Sequence, residues 1–138
     1  MSEFGWGSTT DEVLADKDLS GRTVFITGAN SGLGQETARA MAARGAEVIL
    51  AGRDQAKLDE SVAAIKANHG KAQLETLTVD LTSLENIRAA TSRARQRFHK
   101  IDILINNAGV MATPFQHTHD GFEMQIGTNH FGHFALTG

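Results

Sequence analysis

Short apolar segments alternate along this chain with longer amphipathic ones, and no other feature of the sequence constrains the fold as strongly. The pattern predicts strands at 23–27, 46–51, 72–80 and 101–106. It predicts helices at 32–44, 54–68, 83–98 and 120–138. Apolar strands separated by helices form a parallel sheet that is covered on both faces. Because crossovers are right-handed, we expect an α/β, doubly wound sheet, for which we predict the common strand order 3-2-1-4.

The first part of the chain differs in character from the rest. Residues 1–21 are polar and irregular, and we expect an N-terminal extension there, followed by a single domain over 22–138. Within the extension, Thr10 is the expected N-cap of one helical turn, because Asp11 and Glu12 follow it at the positive end of the helix dipole. No secretory signal and no membrane segment is recognisable, so the expected location is cytoplasmic.

Charge and residue usage exclude several classes of function. The formal net charge is −3, which argues against a nucleic-acid partner. The chain has no cysteine, so disulfides and thiolate chemistry are excluded. His130 and His133 have a spacing that metal ligands use, but no Glu-x-x-His pattern accompanies them. We therefore predict no metal site and treat both as ordinary helix histidines.

The glycine-rich turn TGANSGLG, at 27–34, lies between the first predicted strand and the first long helix. There Gly28 permits a sharp turn, Gly32 lets backbone amides approach a pyrophosphate, and Gly34 allows the helix to pack closely on the strand. The helix N-terminus adds a partial positive charge that favours phosphates. This context predicts a dinucleotide site rather than a glycine loop that serves only a tight turn.

The end of the second strand indicates which dinucleotide binds. A site for NAD usually has a carboxylate there for the ribose hydroxyls, whereas this chain has Arg53. A guanidinium can pair with a 2′-phosphate, so the sequence favours NADP(H) over NAD(H). The neighbouring Asp54 is the expected N-cap of the next helix.

Two further strand ends carry candidate ligand contacts. Asp80 follows the third strand, where it could accept a hydrogen bond from an adenine amino group or could cap a turn. The segment NNAG, at 106–109, follows the fourth strand, and its small residues would let a flat ligand lie against the backbone. An asparagine-rich turn without a ligand is the alternative there.

Taken together, TGANSGLG, Asp80-Leu81, NNAG and Asn129 within TNHFGHF resemble the short-chain dehydrogenase/reductase family over roughly residues 20–138. Three further segments resemble one branch of this family, the retinol-dehydrogenase-like and WW-domain-oxidoreductase-like members. They are Ser8-Thr9-Thr10, Asp18-Leu19-Ser20-Gly21 and the strand segment VILAGRD. The resemblance implies the first half of a Rossmann fold. It also implies an NADP(H)-dependent oxidoreductase that transfers hydride between nicotinamide and an alcohol, aldehyde or ketone.

The resemblance also assigns roles to residues. Asn129 matches the asparagine of the family's catalytic tetrad, where it orders a water in a proton relay, and its flanking Gly127 and Gly132 suit an irregular helix. The implied cofactor contacts to pyrophosphate, riboses, 2′-phosphate and adenine are Gly28, Ser31, Gly32, Leu33, Gly34, Arg53, Asp80, Leu81, Asn107, Ala108 and Gly109.

The family pattern continues with a serine and a Tyr-x-x-x-Lys pair, whereas these 138 residues contain no tyrosine. We therefore expect a cofactor-binding half that is inactive alone, with a natural chain that continues past Gly138. The expected fourth strand is an open edge and the last helix is strongly apolar, so we expect these residues to be a fragment. In the family this helix lies near a subunit interface, so the resemblance implies a homo-oligomer in the full-length protein. The alternative function is a catalytically silent NADP-binding or interaction module.

Overall fold

Parallel strands form the centre of the molecule, and they lie in the order β3-β2-β1-β4. The computed structural model describes residues 4–138, so residues 1–3 of the expected extension lie outside the described residues. The strands are β1 (Thr23–Thr27), β2 (Glu47–Gly52), β3 (Gln73–Thr78) and β4 (Ile103–Ile105). The predicted sheet type and strand order are therefore confirmed, although β3 and β4 are shorter than the predicted segments.

Two apolar clusters sandwich the sheet because its central strands are buried on both faces. On one face, Val24 and Leu50 pack against α2 (Gly32–Ala43) and α3 (Gln55–Asn68). On the other face, Phe25 and Ile49 pack against α4 (Leu84–Arg97). Helices thus cover both faces, as the doubly wound prediction requires.

The first residue of β1, Thr23, contacts groups on both sides of its strand. Thr23 lies beside Glu47 of β2, and its hydroxyl donates to the Glu47 carboxylate at 3.2 Å. The amide of the same residue donates to Asp102, just before β4, at 2.8 Å. Thr23 therefore joins β1 to both of its neighbours.

Short polar side chains start the helices. Asp54 accepts from the Lys57 amide at 3.3 Å and Ser83 accepts from the Asn86 amide at 3.2 Å, so both predicted caps are confirmed. The prediction of Thr10 as a cap was wrong. The N-cap of α1 (Thr10–Val13) is Thr9, because Glu12 closes a reciprocal capping box with it.

The first helix lies against α2 through a polar cluster. Arg39 of α2 contacts Glu36 at 2.7 Å and Asp11 at 3.0 Å, and the Thr10 hydroxyl also donates to Glu36. Hydrogen bonds from Arg39 and Thr10 lower the pKa of Glu36 to about 2. The ionised carboxylate therefore holds this contact at neutral pH.

The two edge strands, β3 and β4, differ in whether side chains cover their outer backbone groups. Along β3, Arg93 of α4 donates to the Thr78 carbonyl at 2.7 Å and Arg97 donates to the Thr76 carbonyl at 2.9 Å. These guanidinium groups occupy carbonyls that an added strand would need. Along β4, Leu104 is exposed, and no described residue pairs with the outer side of that strand.

The C-terminal segment corrects the predicted helix over 120–138. Helix α5 (Met124–Ile126) begins later, because Gly121 adopts a φ of +83° and His117 forms a β-bridge with Glu123. A π-helix (Gly127–Gly132) and α6 (His133–Thr137) follow. The irregularity expected between Gly127 and Gly132 is thus present as a π-helix.

Aromatic side chains of this segment face outward. Phe134 is 74% exposed, and Phe122 and Phe131 are also exposed. Among residues 4–138, no helix is both long enough and apolar enough to cross a membrane.

Candidate functional site

A cleft of 440 Å³ lies at the carboxyl ends of the strands, beside the point where the chain order of the sheet reverses at β1. This is the place where doubly wound sheets bind ligands, and the volume is in the range of ligand pockets. The cleft brings together all of the predicted cofactor residues except Asp80: Gly28, Ser31, Gly32, Leu33, Gly34, Arg53, Leu81, Asn107, Ala108 and Gly109.

The glycine turn forms one wall of the cleft, and each glycine has a separate reason to be there. Gly28 has a φ of +66°, and a Cβ atom on it would lie 2.9 Å from the Ala108 Cα. On Gly34, a Cβ would lie 2.5 Å from Asn107 Nδ2. Gly32 has a φ of +53° and only open space beside it. The turn is therefore tight toward the protein and open toward the cleft.

The start of α2 presents uncommitted polar groups to the cleft. Ser31 is the N-cap of α2, yet its side chain makes no capping hydrogen bond. The first turn of the helix contains no acidic residue that would neutralise its positive end. Leu33, the second residue of α2, is 81% exposed at the cleft. This helix end is therefore suited to an anionic group.

Arg53 also lines the cleft, and it lies directly after β2. Its side chain is exposed and makes no hydrogen bond or ion pair with the residues that the structure describes. Asn30 lies nearby, since its Oδ1 is 3.4 Å from where a Cβ on Gly52 would stand. Asn30 is part of the glycine turn, and its place beside Gly52 was not predicted from the sequence. Its position before Ser31 was the available signal.

Asp80 does not line the cleft. Its Oδ1 accepts from the Thr82 amide at 2.9 Å and from the Thr82 hydroxyl at 2.7 Å, which is the turn that the sequence left as an alternative to adenine binding. The second carboxylate oxygen lies 3.9 Å from His119 Nε2. Leu81 does line the cleft although it is 6% exposed.

The floor of the cleft is held by the Thr27 side chain. Its hydroxyl accepts from the amides of Asn107 and Ala108, each at 3.0 Å. In return, Asn107 Nδ2 donates to the Thr27 carbonyl at 3.0 Å. These hydrogen bonds join the end of β1 to the NNAG turn. The role of Thr27 was not predicted from the sequence.

Asn129 lies beside the cleft rather than in its lining. Its Oδ1 accepts from the Val110 amide at 2.8 Å and its Nδ2 donates to the Val110 carbonyl at 2.8 Å. A Cβ on Gly132 would lie 2.5 Å from the Leu81 carbonyl oxygen, so only glycine lets the π-helix approach this closely. The π-helix therefore places the Asn129 side chain against Val110, in the segment that follows β4.

The histidines do not gather into a metal site. Across the described residues 4–138, no three His, Asp or Glu side chains come together where they could hold an ion. His133 is buried in hydrogen bonds to Thr27 and to the Asn129 main chain, and His130 is exposed beside Phe131.

Sheet order, two-sided helical cover and a glycine turn at the first strand–helix junction define a doubly wound protein of the Rossmann class. The family model for short chain dehydrogenase matches residues 22–138, and the chain belongs to this family. The chain is 46% identical to retinol dehydrogenase 12 from Mus musculus over 134 residues, which is 97% of this chain and 41% of that protein.

Solved structures agree with this assignment. The crystal structure of an uncharacterized protein from Mycobacterium paratuberculosis superimposes with a TM-score of 0.77 at 49% identity, covering 89% of this chain and 43% of that one. L-sorbose reductase from Gluconobacter frateurii, solved with NADPH and L-sorbose, superimposes with a TM-score of 0.70 at 26% identity, covering 88% and 47% of the two chains. The chain therefore spans less than half the length of these relatives.

Proposed function

We propose that residues 22–138 are the dinucleotide-binding domain of an NADP(H)-dependent oxidoreductase, which transfers hydride between nicotinamide and an alcohol or carbonyl substrate. Family membership supports a dehydrogenase or reductase with a nicotinamide cofactor. The choice of NADP(H) and of the substrate class is our proposal. The complex of L-sorbose reductase with NADPH shows that a relative with this fold holds that cofactor.

The observation that carries the cofactor proposal is Arg53. Its guanidinium stands at the end of β2, exposed at the cleft and without a protein partner in the described part of the chain. Among residues 4–138, no carboxylate side chain lines the cleft, whereas an NAD site would place one at this position. A free guanidinium here is suited to the 2′-phosphate that distinguishes NADP(H) from NAD(H).

The other cleft residues fit the remaining parts of the cofactor. The open space beside Gly32 and the N-terminus of α2 suit the pyrophosphate, with the Ser31 hydroxyl as an additional donor. We propose that Leu81 flanks the adenine and that the turn 107–109 lies along the riboses. Asp80 is a weaker candidate than Leu81 for the adenine contact, because its Oδ1 already accepts two hydrogen bonds from Thr82.

When bound, the nicotinamide group supplies or accepts the hydride. The chain's own residues bind and orient it: Asn107 and Ala108 hold the floor through Thr27, and Asn129 fixes the main chain of Val110 beside it. Because the 138 residues contain no tyrosine, the proton donor of the family pattern is not among them. We therefore propose cofactor binding without turnover for these residues by themselves.

A titration of NADPH and NADH tests the cofactor proposal. Arg53→Ala should weaken NADPH binding about 10- to 100-fold and leave NADH binding unchanged, because only NADPH carries the 2′-phosphate. Arg95→Ala is the matched control, since Arg95 is an exposed arginine of α4 that does not line the cleft. Equal affinity of the wild type for the two cofactors, or equal losses in Arg53→Ala, would contradict the proposal.

A second candidate is a silent NADP-binding or interaction module, since the cleft by itself accounts for cofactor binding and not for catalysis. It differs from the first in one result: NADPH binds, but no carbonyl compound of a test panel is reduced by the full-length protein.

We also propose that this full-length protein is a homo-oligomer, because Phe131 and Phe134 are exposed. The cytoplasmic location stays a prediction.

A further inference from the structure

His133 lies at the start of α6, directly after the π-helix that carries Asn129, and it is 6% exposed. One ring nitrogen, Nε2, is 2.8 Å from the Thr27 hydroxyl. The other, Nδ1, is 2.9 Å from the Asn129 main-chain carbonyl oxygen. The ring therefore bridges the floor of the cleft and the helix that holds Val110.

The partners of Thr27 determine where its hydroxyl proton goes. A threonine hydroxyl has one proton to donate and two lone pairs that accept. Both lone pairs are taken by the amides of Asn107 and Ala108 at 3.0 Å. The proton can point to the Ile105 carbonyl at 3.5 Å or to His133 Nε2 at 2.8 Å, and the shorter contact is the stronger hydrogen bond. Nε2 is then an acceptor and carries no hydrogen.

The Asn129 end of the bridge leads to the same assignment. A carbonyl oxygen only accepts, so the contact of 2.9 Å requires a hydrogen on His133 Nδ1. Both contacts are thus satisfied by a single form of the ring, the neutral tautomer with its hydrogen on Nδ1. Every polar atom of this buried bridge then has a partner, which is the condition under which a buried polar network rigidifies its surroundings.

We propose that His133 is a positioning residue that holds the Asn129 helix against the floor of the cleft, and thereby keeps the Asn129 amide on Val110. Three consecutive hydrogen bonds form this link. Thr27 bonds to His133, His133 bonds to the Asn129 main chain, and the Asn129 side chain bonds to Val110. The effect of this bridge on cofactor binding rests on the proposed function, whereas the bridge itself does not.

Nitrogen-15 NMR of the histidine rings tests the tautomer in the wild-type chain. The His133 signals are assigned by their loss in His133→Gln. We expect a protonated Nδ1 and an unprotonated Nε2 for His133 at neutral pH. The reverse tautomer, or a doubly protonated ring, would overturn the proposal.

Hydrogen exchange of single amides tests the positioning role. In His133→Phe, which keeps a ring but no nitrogen, the Val110 amide should exchange about ten-fold faster, while the Leu50 amide in β2 keeps its rate. In His133→Asn, a side-chain amide can still donate to the Asn129 carbonyl, so protection of Val110 should return at least in part. A general loss of protection at Leu50 and Val110 alike would show a merely structural histidine and overturn the proposal, as would unchanged exchange at Val110 in His133→Phe.

Titration of the same proteins with NADPH separates this proposal from the proposed function. If Val110 responds as expected but the wild type does not bind NADPH, the bridge is upheld and the cofactor proposal fails. If the wild type binds NADPH but Val110 does not respond, the cofactor proposal is upheld and the positioning role fails.

Discussion

Replacement of Gly34 by alanine tests whether the close approach of α2 to β1 is as tight as the structure shows. The new Cβ would stand 2.5 Å from Asn107 Nδ2 and still closer to the Gly28 carbonyl oxygen. Side-chain carbons are essentially never found within 3.0 Å of such atoms, so α2 or Asn107 has to move by about half an ångström or more. Asn107 cannot turn away freely, because its Nδ2 donates to the Thr27 carbonyl at 3.0 Å.

The cost follows from these contacts. Overpacking of a rigid site costs about 1–3 kcal/mol, and the lost Asn107 hydrogen bond adds about 1 kcal/mol. Alanine recovers about 1 kcal/mol through its better helix propensity. The free energy of unfolding should therefore fall by about 1–3 kcal/mol, which lowers the urea midpoint by about 1 M.

Urea unfolding followed by circular dichroism is the assay, with Gly70→Ala as the matched control. Gly70 has no atom nearer to its potential Cβ than the Lys66 carbonyl oxygen at 3.9 Å, so its replacement should change the midpoint little. If Gly34→Ala unfolds at the same urea concentration as Gly70→Ala, the packing argument for the third glycine of the turn is refuted.

Three further predictions concern other contacts. Glu36→Gln should lower stability by about 1 kcal/mol at pH 7; because the pKa of Glu36 is lowered from 4.5 to about 2, this difference should shrink as the pH falls from 5 toward 2, measured by urea midpoints. Arg93→Ala combined with Arg97→Ala should promote self-association through β3, and light scattering equal to that of the wild type would contradict the protective role of these arginines. Asn129→Ala removes both hydrogen bonds to Val110 and should lower thermal stability by about 1–2 kcal/mol, an effect that calorimetry can detect.

Much of the fold was predictable because its signals are local and periodic. The centre of β1 is a run of three apolar residues, Val24, Phe25 and Ile26. Asp54 and Ser83 cap their helices because a short polar side chain can accept from the first-turn amides. The N-cap of α1 was missed because adjacent threonines compete for that role. Only the reciprocal bond between Thr9 and Glu12 distinguishes Thr9 from Thr10.

The site was less predictable where roles depend on distant partners. The glycine turn is recognisable from its local sequence. The role of Thr27, in contrast, depends on a hydrogen bond from the Asn107 amide, which is 80 positions away. Similarly, His133 is buried by contact with Thr27, 106 positions away, and no local pattern marks it. The sequence left Asp80 with two roles, adenine binding or capping a turn, and in the structure its Oδ1 accepts from Thr82 in a turn.

The two neighbours of β1 have a consequence for the order in which the chain can fold. Thr23 contacts Glu47, 24 positions along the chain, and Asp102, 79 positions along. Closing the longer loop costs about 1 kcal/mol more in chain entropy than closing the shorter one. No strand pair in this sheet is a local hairpin, so folding is slow for a chain of this size. We therefore expect β1 to pair with β2 before β4 joins the sheet, and the floor of the cleft, which needs β4, to form late.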